Sequence, residues 1–440
     1  MWPFHPGLLQ RAVPRYTSYP TAAEFTPAVG AEALVAELET IRPDTPASLY
    51  IHIPFCREIC WYCGCNTGRT NRAERVEAYL EALHAEIDWL AARLAGRIRV
   101  ERLSFGGGSP NALEPRAFVQ LVDRLSVAFG AARPDISVEL DPRTLDPEWA
   151  DLFRRLGARR ASLGVQTLEP DLQQAIGRVQ PADRIERAVE LLREAGVESL
   201  NFDLMFGLPG QTSAHLERTL EAALALGPDR IALFGYAHVP TLIPRQRRID
   251  ATALPGLEQR FAQSAIGHRI LLGAGYRPVG FDHFARPDDP LAIAAAQGRL
   301  RRNFQGFTDD EADHLLGLGA SAITSLPGLL VQNEKNVGRY RMRVAAGQAA
   351  AERGVRRTAE DRERALVIED LLCGREADLS GLEQLSESRP WLAPYLEAGL
   401  ARQAGNLLSI TAEGLPYARV IAACFDIYRS HAVTRFSSAL

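Results

Sequence analysis

The sequence predicts an α/β fold: a partial (βα)6, TIM-like barrel with an N-terminal arm and a smaller, mostly helical C-terminal domain. Two observations predict it. From residue 48 onward, short apolar runs alternate with helix-length amphipathic stretches, and about six such units suit an incomplete barrel of parallel strands. The residues able to do chemistry fall at or just after the ends of those runs, the face on which a barrel builds its site. A doubly wound sheet would show the same alternation and stays open at this point.

Residues 1–27 hold five prolines with Trp2, Phe4, Tyr16, Tyr19 and Phe25, too aromatic for a solvated tail, so an arm lying across the body over a cleft is expected. Strands are expected over 49–53, 100–105, 136–140, 161–165, 199–204 and 231–234, with a further one over 277–281. Helices are expected over 72–94, 115–129, 147–156, 182–195, 213–225 and 257–272. After about residue 361 the pattern changes to short helical stretches at 366–373, 391–396 and 416–427. The strand-like 407–411 resembles the end of a winged-helix-like module, but a helical cap supporting the barrel is the reading adopted. The division is therefore arm 1–35, barrel with its extension 36–355, and C-terminal domain 356–440.

With 440 residues, 46% of them hydrophobic, the chain can bury a large core. A formal charge of −4 with dispersed basic residues gives no reason to expect a nucleic-acid partner. No apolar run reaches the length of a membrane span and no secretory signal appears, so a cytoplasmic, non-membrane protein is expected, with monomer as the default.

Four of the six cysteines lie between Cys56 and Cys65. Cys56, Cys60 and Cys63 form C-x3-C-x2-C among Phe55, Ile59, Trp61 and Tyr62. Three thiolates can hold a cubic iron–sulfur cluster by three of its irons, leaving the fourth open to a ligand that is not protein. A zinc site is the alternative, but it wants a fourth ligand and no second cysteine pair exists. Cys65 is read as a spare thiol.

HIPFC running into this spacing resembles the radical S-adenosylmethionine enzymes. The added Gly-Cys at Cys65, RYTSYPTA at 15–22, DHFARPDDPLA at 282–292 and RRNFQGFT at 301–308 are similar to the oxygen-independent coproporphyrinogen III oxidase (coproporphyrinogen dehydrogenase) branch. The resemblance spans about 15–333. It implies one [4Fe–4S] cluster on Cys56, Cys60 and Cys63, and S-adenosyl-L-methionine, two molecules of it.

The run GGGSP at 106–110 follows a strand and lets a ligand reach backbone amides. The branch usually reads HxGGGTPT; here Ser104, Ser109 and Asn111 depart from it. Glu139 is a lone acid in an apolar strand, needing either an arginine such as Arg143 or Arg160, or a cationic cofactor with hydroxyls. By resemblance, Gln166, Arg178 and Asp203 contact the second S-adenosylmethionine, and Tyr50, Tyr62, Gly107, Gly108, Ser109, Met205, Ala237, Phe304, Gln305 and Ile323 line the cofactor sites. Tyr50 and His52 are the candidate catalytic pair, His52 lying four residues before the first cysteine. GLGASA at 317–322 fits a dinucleotide fingerprint formally but lacks its βαβ context, and is expected only as a wall of the main pocket.

The implied activity is oxidative decarboxylation of two propionates of coproporphyrinogen III to vinyl groups, through a 5′-deoxyadenosyl radical, giving protoporphyrinogen IX in haem biosynthesis. Arg15, Arg286, Arg301 and Arg302 are candidates to meet the tetrapyrrole's carboxylates. A reduced donor such as flavodoxin or ferredoxin is the implied electron source. Two relatives are weighed against this: a haem-modifying radical methyltransferase, and a haem-binding chaperone whose branch lacks the arm and the Cys65 element.

Overall fold

The computed structural model describes residues 2–429 except 71, 95, 383 and 384. Six strands, β1 (Thr45–Ile53), β2 (Ile98–Gly107), β3 (Asp135–Leu140), β4 (Arg160–Gln166), β5 (Ser199–Phe206) and β6 (Arg230–Gly235), pair in parallel, each with the next in chain order. Between and after them run α1 (Ala73–Leu94), α2 (Pro115–Phe129), α3 (Pro147–Leu156), α4 (Ala182–Glu194), α5 (Ser213–Ala225) and α6 (Leu257–Gly273). Local chemistry sets the ends. Asp146 accepts from the Trp149 N–H to start α3, and Gly157, at φ 64°, ends it.

The barrel stays open. The free edge of β1 pairs in parallel with His314–Leu318 and that of β6 pairs antiparallel with His283–Ala285, so β1 and β6 never meet. The strand expected over 277–281 is shorter: Arg277–Val279 pairs antiparallel with His283–Ala285. Gly280 breaks it, at φ 59° and with the Phe307 ring where a β-carbon would stand.

Strand alternation separates core from lumen. In β3, β4 and β5, residues such as Val138, Leu163 and Phe202 join a core with Phe118, Trp149 and Leu192 of the helices. The intervening Glu139, Ser162, Asn201 and Asp203 are half-buried on the opposite face of the sheet. At the N-terminal ends of the strands, Arg102 and Arg160 grip Asp309, Arg160 with both nitrogens at 2.8 Å. The lumen is therefore closed at that end and usable at the other.

The C-terminal region is mostly helical, with Ala359–Leu372 and Leu385–Glu397 as its longest helices, and it also carries a three-stranded antiparallel sheet. The arm packs into it rather than lying free: Leu9, Val13, Tyr16 and Tyr19 share a core with Leu371, Leu372, Tyr417 and Phe425. Among the described residues, no helix is long and apolar enough to cross a membrane.

Candidate functional site

β1 delivers its last residues into the cysteine loop, which Phe55–Cys56 closes by pairing with Gly68–Arg69. Cys56, Cys60, Cys63 and Cys65 are free thiols, and all line one cavity of about 590 Å³ at the C-terminal ends of the strands. Each of the three candidate ligands has a separate partner. Cys56 Sγ lies 3.1 Å from Thr67 Oγ1, Cys60 Sγ accepts from Arg178 Nη1 at 3.1 Å, and Cys63 Sγ accepts from the Cys65 N–H at 3.4 Å. Burial pushes the Cys56 thiol up to about 11, whereas hydrogen bonding from Cys65 draws Cys63 down to about 6.

The glycine run is pressed against this loop. A β-carbon on Gly106 would meet the Glu139 carboxyl at 2.6 Å, one on Gly107 the His52 ring at 2.3 Å, and one on Gly108 the Phe55 carbonyl at 2.3 Å. Gly108 and Ser109 donate their N–H groups to the carbonyls of Ile53 and Phe55. Asn111, one of the three departures from the family pattern, ties the run to the end of β3: its side-chain nitrogen donates to the Asp141 carbonyl at 2.9 Å and its side-chain oxygen accepts from the Asp141 N–H at 3.0 Å. Ser109 shares a contact with it at 2.8 Å, while Ser104 is buried opposite Tyr50 in the sheet.

The facing wall is acidic and incompletely satisfied. Glu139 accepts from the Gly107 N–H at 3.2 Å. Neither arginine considered for it is available: Arg143 binds Asp141 at 2.6 Å and Glu58 at 2.8 Å, and Arg160 binds Asp309 and Asp135. Burial and the neighbouring Asp203 push Glu139 up to about 7. Asp203, raised by burial, is held by Asn201 and Ser162. Gln166, at φ 61°, has a buried side-chain oxygen with no partner among the described residues, a costly state unless a ligand supplies a donor. Arg178 spans Cys60, the Gly164 carbonyl at 2.7 Å and Asp141 at 3.3 Å.

Three thiols on one wall, two buried carboxyls and an orphaned acceptor opposite, and glycine backbone between them fit an iron–sulfur cluster beside a cationic, donor-rich ligand. Cys65 also stands on this wall, its N–H donating to Cys63 Sγ.

Tyr62, Gly107, Gly108, Ser109, Glu139, Gln166, Arg178, Asp203, Met205 and Ala237 line this cavity with the cysteines. Tyr50 and His52 do not; they stand behind the glycine run. The Asn66 carbonyl can only accept from His52 Nε2 at 3.0 Å, so Nδ1 accepts from the Tyr50 hydroxyl at 3.1 Å. Burial lowers the pKa of His52, which keeps the ring neutral. Phe304 and Ile323 line a second chamber of about 290 Å³ with Tyr16, Tyr19, Arg302 and Glu369, and Phe304 sits edge-on to Tyr50 at 4.6 Å. Gln305 is exposed on the turn of the small Arg301–Thr308 hairpin.

Two expectations are corrected. GLGASA lies outside the main cavity, its Gly319 N–H bonded to Glu86 in the core at 2.7 Å. Arg286 lines neither chamber and donates to the Pro228 carbonyl, because the antiparallel turn at Gly280 sends its strand back towards the start of β6. Sequence reasoning also missed Gln246, which holds the Tyr62 and Ala237 carbonyls, and Thr67 beside Cys56.

A profile described as the Radical SAM superfamily matches residues 50–223. The chain is 42% identical over 428 residues to the oxygen-independent coproporphyrinogen III oxidase of Bradyrhizobium diazoefficiens, covering 95% of each. Against the Escherichia coli protein of the same name it is 38% identical over 425 residues, covering 94% of this chain and 93% of that one. The solved structure of Escherichia coli coproporphyrinogen III oxidase, described as a radical SAM enzyme, superposes with a TM-score of 0.89 at 37% identity, covering 95% of this chain and all of that one.

Proposed function

The chain belongs to the oxygen-independent coproporphyrinogen III oxidase family of the radical SAM superfamily, and from that premise we infer that its strand-end cavity oxidatively decarboxylates two propionates of coproporphyrinogen III to vinyl groups. The product is protoporphyrinogen IX. The observation that carries this is the single cavity in which three cysteine thiols face an acidic wall with an unsatisfied acceptor.

Cys56, Cys60 and Cys63 would hold the [4Fe–4S] cluster, which with S-adenosyl-L-methionine supplies, when both are bound, a hydrogen-abstracting adenosyl radical. Each propionate would then lose a β-hydrogen atom to that radical, carbon dioxide, and one electron to a separate one-electron acceptor, leaving a carbon–carbon double bond. The protein's share is placement. Arg178 and Arg143, anchored on Asp141, donate to the sulfur of Cys60 and fix its position. Glu139 and the Gly107–Ser109 backbone offer acceptors and approach space for the cofactor's ammonium and hydroxyls. Gln166, Arg178 and Asp203 would take a second S-adenosylmethionine, while Phe304 and Ile323 border the separate chamber beside Tyr50 and Gln305 is exposed on its hairpin. Tyr50 and His52 act in this reading by fixing the position of Gly107, not by touching substrate.

A reduced low-potential carrier such as flavodoxin or ferredoxin supplies the electron, and the protein works as a cytoplasmic monomer. Anaerobically reconstituted protein given dithionite and S-adenosylmethionine is expected to convert coproporphyrinogen III to protoporphyrinogen IX, followed by chromatography of the oxidised porphyrins. Release of deoxyadenosine without vinyl product would leave the cofactor site intact and reject this substrate.

A further inference from the structure

Each candidate ligand sulfur of the cysteine loop has a donor of a different kind. Cys63 Sγ accepts from the backbone N–H of Cys65 at 3.4 Å. Cys60 Sγ accepts from the guanidinium of Arg178 at 3.1 Å, with Arg143 further off at 3.8 Å. Cys56 Sγ faces a neutral hydroxyl, Thr67 Oγ1, at 3.1 Å. A side-chain substitution does not remove a backbone donor, and Arg178 also holds Gln180, the Gly164 carbonyl and Asp141, so its loss would disturb a buried ion pair. Thr67 is different: among the described residues its hydroxyl has the Cys56 sulfur as its one hydrogen-bond partner.

The chain holds that hydroxyl in place from both sides. Before it, the Asn66 carbonyl accepts from His52 Nε2 at 3.0 Å, and the Asn66 side-chain amide donates to the Lys335 carbonyl at 2.9 Å. After it, the Gly68 N–H donates to the Pro54 carbonyl at 3.0 Å and the Thr70 N–H to the Cys56 carbonyl at 2.9 Å. The glycine run presses from a third direction, since a β-carbon on Gly108 would stand 2.7 Å from Thr67 Oγ1. A β-branched side chain is stiff about χ1, so the hydroxyl has little freedom to turn away from the sulfur. Thr67 and Cys56 line the same cavity of about 590 Å³.

The direction of the hydrogen bond follows from the chemistry of the ligand. A thiol and a hydroxyl can each donate, but a thiolate bound to iron has no proton, so Thr67 is the donor once Cys56 is a ligand. Adding an electron to a cluster puts more negative charge on its sulfurs. A donor aimed at one of them therefore stabilises the reduced form more than the oxidised one.

We propose that Thr67 is a positioning residue for Cys56, whose hydroxyl fixes that sulfur and makes the cluster held there easier to reduce. This rests on the cluster assignment made above and deepens it: an electron carrier of given potential brings a larger share of the protein to the reduced state from which the radical is made. The cysteine spacing carries no sign of it, because Thr67 lies outside C-x3-C-x2-C, 11 residues from the sulfur it serves.

The test uses full-length protein reconstituted anaerobically without S-adenosylmethionine. Wild type is compared with Thr67→Val and Thr67→Ala, which remove the donor, and with Thr67→Ser, which keeps it. Each is poised with dithionite and redox mediators at one fixed solution potential. Reduced cluster is counted by electron paramagnetic resonance per bound iron, so that partial loading of a variant leaves the reading intact. The ratio of reduced to oxidised cluster is expected to fall by a factor of about three to ten in the donor-free variants, the size of one net hydrogen bond, and to stay near wild type in Thr67→Ser. Donor-free variants that match wild type, or a Ser variant that falls as far as they do, would overturn the proposal. Wild type that assembles no [4Fe–4S] cluster would reject the cofactor assignment and this inference with it, whereas a loaded wild type indistinguishable from all three variants rejects this inference alone.

Discussion

Asp141 is the residue on which the sulfur face of the cavity turns, because it holds Arg178 and Arg143 together while its backbone meets Asn111. Both sides of the Asp141–Arg178 pair are about 8% exposed, so breaking it strands a buried charge. Asp141→Asn is expected to destabilise the apo-protein by about 3 kcal/mol in urea titration. Cysteine roles separate in the same way: Cys56→Ala should lose the broad brown absorbance and most of the iron, whereas Cys65→Ser should keep both. Full iron retention in Cys56→Ala would refute its assignment as a ligand. The motif alone distinguished these cysteines, since spacing is a property of the chain. Asp141 was visible only as part of a strand end, because its partners are 2 and 37 residues away and meet it only in the fold.

Among the elements, α1 fixes the floor of the site. Its Tyr79 hydroxyl donates to the His52 carbonyl at 2.6 Å and accepts from the Ala320 N–H at 3.1 Å. One turn pair further on, Glu86 accepts from Gly319, Asn333 and Tyr340. Burial pushes Glu86 up to about 7 from 4.5. The sign follows: the unfolded chain ionises Glu86 first, so this residue's contribution to stability is complete below pH 4.5 and is lost as pH rises through about 7. A shift of that size is worth about 3 kcal/mol at most. Glu86→Gln should therefore flatten the fall in stability of the apo-protein between pH 5 and 8, measured by denaturant midpoints; an unchanged slope would remove Glu86 as its source. The helix was legible from its period. Its link to GLGASA was not, which is why that segment looked like a pocket wall.

For the whole molecule, the arm and the C-terminal helices form one packing unit. Leu9 and Val13 are at most 1% exposed within it, and Tyr16 bonds Asp426 at 3.0 Å. Deleting residues 1–13 removes both apolar side chains, a loss of roughly 3–6 kcal/mol. Faster proteolysis and hydrogen exchange within 359–425 is the expected outcome, together with lower porphyrinogen turnover, because the same deletion frees Arg15 from its flanking arm. The sequence by itself determined the strand–helix alternation, the strand ends that carry chemistry and the three-thiol loop, since periodicity and spacing are local. Only the tertiary structure decided which segments cover the two open edges of the sheet and that Phe304 and Ile323 border a second chamber. Those facts depend on which distant segments meet.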